Sequence, residues 1–70
     1  MTPEDRVTFY ERIGVRIRAA RTACRLSQRD LAARLGVTDV TVHHWESAKH
    51  RPDLFDLRRI EAALGQEITR

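Results

Sequence analysis

Residues 26–46 read LSQRDLAARLGVTDVTVHHWE, and this stretch decides the fold because it divides into two short amphipathic segments on either side of Gly36. Ser27 is a natural N-cap, since its hydroxyl can accept a backbone N–H that the first helical turn leaves unpaired. Leu31, Ala32 and Leu35 then fall on one face of the segment that follows. Gly36 ends that segment at little cost, because a residue without a Cβ enters the left-handed region freely. Thr38 is placed to cap a second helix in which Val42 and Trp45 recur at helical spacing, with Val37 ahead of the cap as a hydrophobic staple. Asp39, Val40, Thr41, His43 and His44 occupy the opposite face and are left for a partner.

Two short helices joined at a glycine turn make a helix-turn-helix, spanning residues 27–46, whose second helix is sized for the major groove of duplex DNA. Charge points the same way. The 70 residues hold 13 Lys and Arg against 10 Asp and Glu, a net charge of +3. Arg16, Arg18, Arg21, Arg25, Arg29 and Arg34 stand against Asp30 alone, so the basic excess is concentrated there, while residues 1–12 and 53–70 are each slightly acidic. An unplaced charge run reads as a solvated helix face. Beside a helix-turn-helix it reads instead as a means of releasing counterions from phosphates.

Seventy residues suffice for one domain, 1–70, with a small core. Cys24 is the sole cysteine, which excludes an intramolecular disulfide and leaves it to pack as a small hydrophobe. No apolar run approaches the roughly 20 residues of a membrane span, and the acidic Glu4 and Asp5 stand where a signal peptide would be apolar, so a cytoplasmic, nucleoid-associated protein is expected. His43, His44, His50 and Cys24 lack the spacing of zinc ligands, adjacent residues on a helix pointing about 100° apart, and no metal or cofactor is expected. Ser27, His43 and Asp30 suggest no catalytic arrangement, since Ser27 is accounted for as a cap; the chain is expected not to be an enzyme.

Thr2, Pro3 and Asp5 make a helix start, and Phe9, Ile13, Ile17, Ala20 and Cys24 continue it as one buried stripe. Gly14 lies inside this helix at a cost of about 1 kcal/mol against alanine. After Glu46 comes the polar loop SAKHRPD; Asp53 then caps a fourth helix with Leu54, Leu57, Ile60, Ala63 and Leu64 as its stripe and Gly65 as its stop. Residues 66–70 are too few for a fifth helix, and no strand-like alternation occurs. The expected fold is all-α: a compact four-helix domain with a central helix-turn-helix and an extended first helix.

IGVRIRAARTACRLSQRDLAARLGV, then VHHWE, then RPDLFDLRRIEAALG resemble the successive helices of the phage repressor and Cro-like (Xre) family, over residues 13–65. LSQ followed by LAxxLGV and WE is the specific combination. The resemblance implies a lambda-repressor-like fold and a double-stranded DNA partner. It implies that Gln28, opening the second helix, clamps the DNA backbone, consistent with the free N–H groups of a helix N-terminus. It makes the third helix the reading helix, with Thr38 on phosphate and Asp39, Val40, Thr41, His43 and His44 towards base edges. Asp39 can accept from cytosine N4, Val40 can pack on a thymine methyl and His44 can donate to guanine; Asp39 can equally serve the helix N-terminus or repel phosphate in wrong registers. Arg29, Lys49 and Arg51 complete the expected DNA-binding set, and Arg21 and Glu46 match the family's structural ion pair.

Two departures stand out. Ala48 occupies the place of the glycine that the family sets after its reading helix, so the loop either avoids positive φ or carries strain of about 1 kcal/mol. The customary fifth helix is missing, and the first helix extends backward through Val7, Phe9 and Tyr10, either covering that gap or forming a dimer surface. The expected function is a sequence-specific transcriptional regulator, a repressor binding paired half-sites as a homodimer, formed in solution or only on DNA. The alternative is a protein-interaction module such as an antitoxin or adaptor, marked by an exposed apolar patch around Val7, Tyr10 and Val15.

Overall fold

Side-chain caps set the start of every helix. In the computed structural model, which describes residues 2–69, the elements are α1 (Pro3–Ala23), α2 (Gln28–Leu35), α3 (Asp39–Glu46) and α4 (Leu54–Leu64), with no strand among the described residues. Met1 and Arg70, the ends of the expected 1–70 domain, lie outside the described residues. Thr2, Ser27 and Asp53 cap α1, α2 and α4 in reciprocal boxes closed by Asp5, Asp30 and Asp56. At α2 the Asp30 N–H donates to Ser27 Oγ at 2.9 Å, and the Ser27 N–H donates back to Asp30 at 3.0 Å. Accepting those bonds holds the Asp5 and Asp30 carboxyls below the usual carboxylate range. Gly36 and Gly65 end α2 and α4 at φ +70° and +67°, as the sequence leads one to expect.

The core gathers one stripe from each helix: Ile13, Ile17 and Ala20 from α1, Leu31, Ala32 and Leu35 from α2, Val42 and Trp45 from α3, Leu57, Ile60 and Leu64 from α4. Four expected core positions differ. Phe9 and Ala63 are half-buried at the edge of the cluster. Cys24 is exposed, because it is the C-cap of α1 and the stripe ends with the helix; its Sγ lies 3.5 Å from the Leu64 carbonyl. Leu54 is 66% exposed, since the chain entering α4 buries Pro52 instead.

The tail supplies a core residue that no helical period announces. Ile68 is 1% exposed and closes the core beyond the end of α4. Glu61 clasps it by accepting the Ile68 N–H at 2.8 Å, which lowers the Glu61 pKa, and Arg16 donates to the Ile68 carbonyl at 3.2 Å.

Gly14 fixes how closely α1 and α3 approach. A Cβ built on it would stand 2.5 Å from the Glu46 carbonyl oxygen and 2.8 Å from that of Trp45, both rigid backbone atoms at the end of α3. The glycine is therefore a crossing point for two helices. Helix propensity alone makes Gly14→Ala stabilising by about 1 kcal/mol. The contact reverses the sign: the variant is expected to lose about 1–3 kcal/mol in urea unfolding as α1 and α3 are forced apart. A gain in stability contradicts the close approach.

Candidate nucleic-acid interface

Glu46 sits at the C-terminal end of α3 with its side chain 5% exposed, deep enough that an unpaired carboxylate would be costly. Three donors meet it. Arg21 of α1 approaches in forked geometry, Nε to Oε2 at 2.6 Å and NH2 to Oε1 at 3.1 Å, and Gln28 at the start of α2 donates from Nε2 to Oε1 at 3.1 Å. A third Arg21 nitrogen donates to the Leu26 carbonyl at 2.7 Å. The bond to Glu46 raises the Arg21 pKa above its ordinary value. The Arg21–Glu46 pair thus joins α1, the turn before α2, α2 and α3. The expectation for Gln28 is sharpened accordingly: one amide N–H belongs to Glu46, and its remaining polar atoms are what it has for a backbone contact.

At the other end of α3, Thr38 caps the helix by accepting the Thr41 N–H at 3.2 Å, and the two hydroxyls lie 3.0 Å apart. Asp39, Val40 and His43 are exposed, with no side-chain hydrogen bond or ion pair among the described residues. Thr41 and His44 are half-buried, so the free face is narrower than the sequence pattern suggests. Thr41 turns to its cap. His44 meets the loop beyond α3, its ring packing edge-on to His50 at 4.7 Å. Burial, with Lys49, His50 and His43 close by, pushes the His44 pKa down and favours the neutral ring.

The basic run separates by role in three dimensions. Arg16 and Arg21 hold the tail carbonyl and Glu46, and so are not the free phosphate contacts that the run suggests. Arg29 is exposed in the first turn of α2. Arg18 lines a shallow groove with Gln28, His43, Glu46 and Ser47, between the start of α2 and α3. Lys49 and Arg51 are exposed in the loop after α3, and the Arg51 guanidinium lies 5.1 Å from the Tyr10 ring centroid. Arg18, His50 and Tyr10 stand outside the expected DNA-binding set; His50 follows α3 directly, while Tyr10 reaches the loop because α1 passes the end of α3 at Gly14.

A family model described as Helix-turn-helix matches residues 17–70. The chain belongs to the phage-repressor and Cro-like helix-turn-helix family. It is a DNA-binding protein of the transcription-regulator kind. No curated protein and no solved structure gives a significant match. Among the described residues, no helix is long and apolar enough to cross a membrane. Within the family pattern Ala48 is the departure with a measurable consequence: its φ is +61°, so the loop keeps the left-handed turn and carries the strain of a Cβ there. Replacing Ala48 with Gly is expected to raise unfolding free energy by about 0.5–1 kcal/mol. Thermal melts read this directly, and a lowered stability contradicts it.

Proposed function

We propose that the protein is a sequence-specific regulator that represses by occupying an operator, with α3 in the major groove and two copies on half-sites one helical turn apart. The observation that carries this reading is the contrast between the two ends of α3. Its C-terminal end is locked by the Glu46 cluster, while Asp39, Val40 and His43 stay exposed and without polar partners among the described residues. A rigid helix presenting uncommitted side chains suits base reading. Gln28, Arg29, Thr38, Lys49 and Arg51 would hold the backbone, and Asp39, Val40, Thr41, His43 and His44 would meet base edges. On this reading the chain performs no catalytic step and works at the nucleoid.

The reading face is chemically mild, since none of these side chains makes the bidentate contact with guanine or adenine that arginine or glutamine makes. Dimer spacing and DNA shape would then supply much of the discrimination. A protein-binding role draws less support. Val7 and Val15 are 51% and 66% exposed, but Tyr10 is half-buried with its ring against Arg51, so it is not a free member of the expected apolar patch.

Selection from random duplexes followed by fluorescence anisotropy tests the proposal. Arg29→Ala is expected to weaken binding to all sequences alike and to flatten the salt dependence by about one unit. Asp39→Ala is expected to tighten binding to bulk DNA, by removing a negative charge near phosphate, while losing about 1–3 kcal/mol of preference at one base pair. A protein that binds no selected site better than bulk DNA refutes sequence-specific regulation.

A further inference from the structure

The part of α1 that lies outside the family match is not idle helix. Residues 3–16 precede the matched region, yet they continue α1 without a break. At Gly14 the helix passes against the backbone of Trp45 and Glu46, which carries its earlier turns past the end of α3 and beside the loop that follows. One turn before Gly14, Tyr10 meets that loop. Its ring centroid is 5.1 Å from the Arg51 guanidinium carbon, and Phe9 packs edge-on against the same ring at 5.2 Å.

Arg51 is exposed, has no carboxylate partner and donates no side-chain hydrogen bond among the described residues. A ring contact restrains the long side chain without using any of its five N–H donors, so the guanidinium is held and still free to bind an anion. An arginine ordered in advance loses less conformational freedom when it meets a phosphate. We propose that Tyr10 is a positioning residue for DNA binding: the N-terminal turns of α1 hold Arg51 ready for a backbone phosphate flanking the groove that α3 enters. This rests on the DNA-binding reading above and adds to it a device supplied by the chain's own N-terminal helix.

The test is a two-residue cycle read by anisotropy on a labelled mixed-sequence duplex of about 20 base pairs, two turns of DNA, across a salt series. Arg51→Ala is expected to lower affinity and reduce the salt slope by about 0.9, the signature of one lost phosphate contact. Tyr10→Leu is expected to weaken binding about two- to fivefold, and Tyr10→Phe, which keeps the ring face, to restore the wild-type value. In the Arg51→Ala background Tyr10→Leu is expected to have no further effect. Circular dichroism checks that α1 remains helical in each variant. If Tyr10→Leu disturbs it, the Tyr10→Phe result and the upfield ring-current shift of the wild-type Arg51 side-chain protons still decide: loss of affinity in Tyr10→Phe, or no such shift, overturns the proposal. Equal weakening by Tyr10→Leu with and without Arg51, or none in either, overturns it while leaving the DNA-binding reading intact. A wild-type protein that does not bind the duplex overturns both.

Discussion

A single carboxylate, that of Glu46, governs how α3 is held: with Arg21 and Gln28 it ties three helices at one point. The physics of such a cluster is lopsided. Two charges removed from water add little net stability when their bonds are complete, but stranding one of them costs about 3–5 kcal/mol. That penalty falls on any arrangement that separates the partners, which is how the cluster favours one geometry. In a chain of 70 residues with a small core, a penalty of that size is comparable to the whole folding free energy.

Close approach of α1 and α3 at Gly14 and the cluster at Glu46 are two parts of one joint. Glu46 contributes its backbone carbonyl to the first and its side chain to the second. Both non-glycine residues with positive φ among those described flank this joint: Arg25 at +58° just after α1, beside the Leu26 carbonyl that Arg21 holds, and Ala48 at +61° just after α3. Left-handed turns there let the chain leave each helix sharply, which keeps α2 and the loop after α3 on one face. The strain of each residue is offset by what the joint fixes.

Much of the architecture is legible in sequence because it is local. Ser27, Thr38 and Asp53 reveal helix starts, Gly36 and Gly65 reveal ends, and the spacing of Leu31, Leu35, Val42 and Trp45 gives the buried faces, since each signal spans only a few residues. What eluded the sequence depends on partners far along the chain. Gly14 reads as a flaw in a helix until α3 is laid across it. Ile68 belongs to no period, and only the Glu61 clasp shows why it is buried. Equivalent arginines along α1 diverge because one faces the tail, one faces Glu46 and one faces the groove. Arg21 and Glu46 themselves came from family resemblance; 25 residues separate them, and no local pattern joins them.

The central claim, that the Arg21–Glu46 pair acts as one unit holding α1 to α3, is tested most directly by a double-mutant cycle of Arg21→Met and Glu46→Leu. Urea unfolding in the presence of trimethylamine oxide keeps weakened variants folded enough to measure. Each single change is predicted to cost about 3–5 kcal/mol, and the double variant to recover several of them, because it leaves no stranded charge. Costs that simply add contradict the account.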